Sequence, residues 1–483
     1  MNLTAASNVF WSGLEAVVAA GLAFASAFLV ARLIGPSEFG IGTAAVAVHV
    51  VLWVGVNALF ADALVQRPKV DDAMAASAFW ASVAAGTGCA IAEAGVGLPI
   101  AATFGDSRLI PMCLLLALPL PLVGAGGVAQ GLLTRRRAYR VLAARAIIGQ
   151  GLGTAAGVAA ALNHAGAWAP VLQQFVTSTA GAATLLAGTR WWPSLRWHGP
   201  SICTLLRVAL PLTASTLVLA ARYRLFSLLL GGTAGATALG ETHMAFRLVD
   251  TVRELCSTAL WRLLLPVLAG LQHDEAALRA TVDRLVRQTT AAMLPLCGTM
   301  ALCLPPLIRH LLGPTWTASG QVTEPLLALM AILVVMFPAG VAVVARGQTG
   351  RALTGSVACL LLTLAGEALL RPASPWQAVL VWCGAQMVAT PYVLWVNGRA
   401  VGSGPLRPLR GGLAVTAVTV VGLAAAVMVP ADVGLEARSL LRLALRMAIF
   451  AGVTGAGLLL IWRRIGIAGG VSVPAAGYGS KIG

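Results

Sequence analysis

Four arginines and two acids interrupt an otherwise apolar hairpin, ARYRLFSLLLGGTAGATALGETHMAFRLVDTVRE, that runs from Ala221 to Glu254. Arg222 and Arg224 lie in the first arm, Arg247, Asp250, Arg253 and Glu254 in the second, and a glycine-rich turn over 231–240 joins them. An ion at bilayer depth costs about 2.5–3.5 kcal/mol on insertion scales. Such residues are tolerated where they face a wet cavity or each other. Guanidinium is planar and always charged, and its forked donors meet a phosphate group in two parallel hydrogen bonds. The chemistry on offer is therefore recognition of a phosphate-bearing anion. On a helix, positions 247, 250, 253 and 254 share one face. A second reading has Asp250 and Glu254 pairing with Arg247 and Arg253 as buried ion pairs that only lock the lobe. Arg222 and Arg224 are two apart, so one of them faces away from the other's side.

Glu15 sits in the middle of the first apolar run. It fits either a cavity-facing carboxylate linked to proton or sodium coupling, or a protonated, hydrogen-bonded carboxyl inside a helix bundle. Glu93 and Glu367 lie nearer the ends of their runs and are expected at the membrane interface. His164 and His310 read as surface residues on the side opposite the basic connections. No Cys/His spacing suits a metal, and the eight cysteines, all in or beside apolar runs, read as packing residues.

The elements that must hold these groups are membrane helices. Of 483 residues 58% are hydrophobic and 10% charged, and the mean hydropathy is +0.86, against about 25% charged in ordinary soluble domains. Apolar runs of membrane-spanning length recur from end to end, about fourteen in all. The formal charge of +16 could indicate nucleic-acid binding. That class is excluded because the basic residues are scattered between apolar runs rather than gathered on one face. They concentrate after even-numbered spans: Arg135, Arg136, Arg137, Arg140 and Arg145 after the fourth, Arg190, Arg196 and Arg207 after the sixth, Arg279, Arg284 and Arg287 after the eighth. Fewer follow the odd-numbered spans: Arg32, Arg108, Arg309 and Arg371 singly, and Arg438, Arg442 and Arg446 after the thirteenth. The positive-inside rule then puts the even connections and both termini in the cytoplasm. The first run lacks a basic leader and continues to Arg32, which marks it as an uncleaved span.

One connection has its own pattern. In His273–Thr289, Asp274 can cap a helix whose apolar face is Leu278, Val282, Leu285 and Val286. It reads as a short surface helix or as an extension of the next span, with a solvated polar face. No connection is large enough for a catalytic domain, so the expectation is a transporter and not an enzyme. The two halves also resemble one another. VARLIGPSEFGIGTAAVAV and LLLGGTAGATALGETHMAF each end one span in a glycine turn and open the next, as an internal repeat would.

Three stretches carry a family likeness: ARLIGPSEFG (Ala31–Gly40) with ALVQRPKVDDAMAASAFW (Ala63–Trp80); LGETHMAFRLVDTV through WRLLLPVLAGLQHDEAALR (Leu239–Arg279); and LLGPTWTASGQVTEPLLALM (Leu311–Met330). In order and spacing they resemble the bacterial polysaccharide flippases of the multidrug/oligosaccharidyl-lipid/polysaccharide exporter superfamily, over about residues 8–345. The resemblance implies an all-α polytopic fold of two pseudo-symmetric six-helix lobes, 1–200 and 201–400, two further helices over 401–465, and a disordered tail over 466–483. It implies alternating access that carries a polyprenyl-diphosphate-linked oligosaccharide across the bacterial inner membrane for surface polysaccharide assembly. Partners would be the bilayer and a polysaccharide polymerase with other assembly proteins, with no nucleic acid. No cofactor or metal is implied beyond coupling to a proton or sodium gradient. Substrate contacts would fall on Arg222, Arg224, Arg247, Asp250, Arg253 and Glu15. The alternative within the superfamily is a multidrug/cation antiporter, against which the arginine-rich hairpin argues. The chain departs from the family's lipid II flippases: its first helix carries Glu15 rather than arginines, and FGIGTAAVAVHVV (Phe39–Val51) has no Asp.

Overall fold

The computed structural model describes residues 3–430 and 437–465, with side chains in the first helix described only from about residue 18 onward. No strand occurs among the described residues. The helices are α1 (Leu3–Ala58), α2 (Ala61–Gln66), α3 (Asp72–Phe104), α4 (Leu109–Ala117), α5 (Leu120–Arg135), α6 (Tyr139–Leu162), α7 (Trp168–Thr189) and α8 (Gly199–Gly270). They continue as α9 (Glu275–Leu312), α10 (Thr317–Ala345), α11 (Thr349–Leu370), α12 (Pro375–Val401), α13 (Arg407–Arg410), α14 (Leu413–Val427) and α15 (Ala437–Ile465).

Ten helical stretches among the described residues are long and apolar enough to cross a bilayer. Two of them, Gly21–Gln66 and Gly199–Gly270, each hold two of the expected spans. A straight helix of 72 residues would run about 108 Å, more than three times the hydrocarbon thickness. The chain turns instead, at Gly235 (φ 87, ψ 172) in α8 and at Gly35 (φ 77, ψ 170) in α1. Positive φ is open to glycine without a Cβ clash, and Pro36 after Gly35 removes a donor that no helical partner could take. α7, the expected sixth span, is helical throughout but carries Gln173, Gln174, Thr177, Ser178 and Thr179.

Two compact units divide the chain: residues 1–247 with 367–378, and residues 248–366 with 379–483. In the first, the two glycine turns meet. A Cβ at Gly40 would collide with the Ala236 carbonyl oxygen, and one at Gly240 with the Pro36 carbonyl oxygen. The likeness read between the two sequence stretches is thus a reciprocal backbone contact, made close by small residues. Around it Ile41, Ala44 and Ala45 of α1, Leu109, Met112 and Leu116 of α4, Val171 of α7 and Leu239 of α8 form one buried cluster. Just past the Gly35 turn, Glu38 receives Arg108 in a fork, Nη1 to Oε2 and Nη2 to Oε1, both 2.9 Å. Arg108 Nη2 also donates to Asp106 Oδ2 (2.8 Å), and the Ala167 amide donates to Glu38 Oε2 (2.8 Å). One guanidinium therefore ties the α3–α4 connection to α1, and Glu38 ties in the α6–α7 connection. The Arg108 hydrogen bond holds the Asp106 carboxyl below the usual carboxylate range.

In the second unit, Asp274 accepts the Ala277 amide (2.9 Å), as its capping position requires. The helix it starts does not stop at the surface. α9 runs unbroken to Leu312, which settles the connector as an extension of the following span. Leu278, Val282, Leu285 and Val286 face inward, packed with Leu264, Leu268, Val335, Ala339 and Val401. The opposite face is less solvated than expected. Glu275 pairs with Arg346 (2.9 Å), Asp283 with Arg407 (3.2 Å), and the Nε atoms of Arg279 and Arg287 are buried.

Candidate binding residues and a buried polar network

α8 places the arginines of the hairpin on its two arms. Arg222, Arg224 and Arg247 belong to the first unit, Asp250 and Arg253 to the second. The three first-unit arginines are half-buried. Between them lies an aromatic group that sequence reading passed over. Tyr223 Oη is 2.9 Å from His243 Nδ1. The Tyr223 ring stacks at 4.6 Å on Phe246, and Phe226 sits 5.6 Å from Phe246. Phe39, at the start of the second arm of α1, is 5.8 Å from His243. The Arg224 guanidinium stands 5.6 Å from the centroid of the Tyr223 ring, close enough for cation–π attraction. Arg247 Nη2 donates to the Ala23 carbonyl oxygen of α1 (3.2 Å). The aromatic cluster joins the two arms of α8 beside the arginine stems.

Asp250 takes Arg253 Nε at 2.8 Å, an i,i+3 pair with both side chains well exposed. Glu254 is exposed beside them. Asp250 and Arg253 therefore do pair, but as an exposed pair within one helix and not as the buried lock of the second reading. The side chain of Glu15 lies outside the described residues.

The structure also joins groups that sequence reading did not join. His49, in the second arm of α1, is fully buried, with Nδ1 3.2 Å from Glu93 Oε2 of α3 and Nε2 3.1 Å from Ser178 Oγ of α7. Gln174 Nε2 donates to the same Ser178 oxygen at 3.1 Å. Glu93, expected at an interface, is 0% exposed, and so is Glu367, whose two carboxyl oxygens find no hydrogen bond among the described groups. The signal was available. A histidine in AVAVHVVLWV and a glutamate in CAIAEAGVG break apolar runs as the hairpin arginines do.

The sequence profile described as polysaccharide biosynthesis protein matches residues 29–321. The succinoglycan biosynthesis transport protein ExoT of Rhizobium meliloti (strain 1021) is 26% identical over 331 residues, which are 68% of this chain and 66% of that protein. The chain thus matches a little under two thirds of that relative's length. Among solved structures, the lipid II flippase MurJ in an inward closed conformation superposes with a TM-score of 0.77 at 12% identity, covering 95% of this chain and 99% of that one. A multidrug resistance MATE family transporter of the MOP superfamily, inward-facing, gives 0.53 at 13% identity, covering 82% and 95%. At these identities the two likenesses speak to the fold.

Proposed function

Because the chain belongs to the polysaccharide biosynthesis protein family, we propose that it is a flippase for a polyprenyl-diphosphate-linked oligosaccharide in a bacterial inner membrane. Two lobes, about residues 1–200 and 201–400, expose a central cavity first to one side and then to the other, and both termini lie in the cytoplasm. Family membership supports the saccharide pathway. The named activities of two similar proteins, succinoglycan transport and lipid II flipping, support a lipid-linked saccharide as cargo. The observation that carries the reading is the set of three half-buried arginines on α8, Arg222, Arg224 and Arg247, in helices of membrane-spanning length. Guanidinium groups there suit a diphosphate, and they oppose the binding of cationic drugs.

Arg247 is the residue to test. Arg247→Lys keeps the charge and loses the fork, so transport of a fluorescent polyprenyl-diphosphate oligosaccharide into proteoliposomes should fall by roughly tenfold, as loss of one charge-assisted hydrogen bond predicts. Arg247→Ala should be worse, and adding Asp250→Ala should not restore it. Recovery in the double variant would make the residue a structural lock and overturn its role as an anion contact.

A further inference from the structure

We infer that His49 and Glu93 form a proton-binding site in the first unit, whose loading and unloading accompany the transport cycle; the coupling, though not the site, rests on the flippase reading. The geometry is that of a buried two-partner proton holder. Both side chains are 0% exposed, in helices of membrane-spanning length. Three helices contribute: α1 with His49, α3 with Glu93 and α7 with Ser178 and Gln174.

Charge counting explains why such a pair holds one proton readily. With neither His49 charged nor Glu93 protonated, the site carries one buried negative charge. One added proton, whether it forms an N–H bond on the imidazole or an O–H bond on the carboxyl, makes the site neutral. Buried net charge is costly while a neutral hydrogen-bonded pair is not. The surroundings accept both states. Gln174 occupies one lone pair of Ser178 Oγ. The hydroxyl can still donate its hydrogen to a bare Nε2, or accept from an Nε2–H through its second lone pair. Ser178 therefore turns over with the histidine and leaves neither form unpaired. Glu93 Oε1 is buried and has no hydrogen-bond partner among the described groups. It is the atom at which an arriving proton forms the O–H bond and from which it later leaves.

Charged and titratable groups stand on several of the helices around the pair. Cys89, one helical turn before Glu93, and Cys113 of α4 are the thiols that feel its carboxylate. α7 carries no ionisable residue. On α6, Arg145 donates to Gln130 Oε1 (3.2 Å), and Arg140 lies at the exposed end of the helix. On α1, Glu38 is held by Arg108.

Infrared difference titration of the full chain in lipid vesicles tests the site without any substrate. A carboxyl band should appear as the pH is lowered and vanish as it is raised. Glu93→Gln should abolish it, and Ser178→Ala should move its midpoint by about one pH unit, as loss of one neutral hydrogen bond predicts. Persistence of the band in Glu93→Gln, or a midpoint that follows sodium concentration rather than pH, would overturn the proposal. In proteoliposomes under an imposed pH gradient, Glu93→Asp should keep gradient-driven flipping while Glu93→Gln and His49→Gln lose at least tenfold. Unchanged gradient dependence in both neutral variants, with thermal unfolding confirming that they fold, would reduce the network to a structural role. If the wild-type chain moves no lipid-linked saccharide, the flippase reading falls while the infrared band still decides the proton site.

Discussion

Asp250 gives its carboxylate to Arg253, and both partners are well exposed. An exposed i,i+3 pair of this kind is worth about 0.2–1 kcal/mol. Arg253→Ala should therefore leave the unfolding temperature in detergent nearly unchanged. If flipping falls by more than tenfold in the same variant, the loss belongs to substrate contact and not to stability. Tyr223 has a different character, because its hydroxyl meets His243 inside an aromatic cluster. Tyr223→Phe keeps the rings and removes one neutral hydrogen bond, so about 1 kcal/mol of stability should go, read as a lowered melting point with the arginines still in place. Much of this was visible beforehand. Arg222, Arg224, Arg247 and Arg253 stand out because ions in apolar runs need a reason. The His49–Glu93 pair was not, because its partners are separated by 44 residues and the Ser178 contact by 129. No local spacing records which of several buried polar groups on different helices will face one another.

The connections between helices carry their own chemistry. Asp106 is held ionised by Arg108, so its folded pKa is depressed. A depressed carboxyl contributes stability that is complete above its unfolded value, about 3.9, and is lost as pH falls through the folded value. Melting temperature should thus hold steady through mild acid and drop below about pH 4, and Asp106→Asn should remove part of that drop. α9 offers a second contrast. Arg284 is exposed on its polar face, so Arg284→Ala should leave flipping near normal. Arg346 donates to the Ala400 carbonyl and to Glu275 and is only 16% exposed. Arg346→Ala should cost about 1–3 kcal/mol, the range for charged hydrogen bonds left unmade. Sequence pattern gave the cap at Asp274 and the apolar face of this helix. It could not show that the helix continues into the next span, because the ladder crosses that boundary without any change in propensity. Nor could it show the ion pairs, which come from α10 and from the α12–α14 connection.

At the scale of the molecule, hydropathy and the alternation of basic connections carry an all-helical polytopic fold a long way. Every bilayer-spanning helix must satisfy its own backbone, so apolar length alone marks it. The places where spans merge, at Gly35 and Gly235, are where that rule is blind: helical hydrogen bonding resumes at once after the turn. The charge pattern predicts the sidedness of the chain, and reporter fusions after Gly313 and Gly347, which flank α10, should report opposite sides of the membrane. The meeting of Gly40 with Ala236 and of Gly240 with Pro36 also sets a clock for synthesis. The first half of the contact leaves the ribosome long before its partner exists. At about 5–20 residues per second, the stretch from Gly40 to Gly240 takes roughly 10–40 seconds to make. For that interval the early helices sit in the membrane with a glycine-lined face that no later segment has yet covered. A nascent chain halted short of Gly235 should remain open to membrane proteases, and one extended past Met244 should close against them.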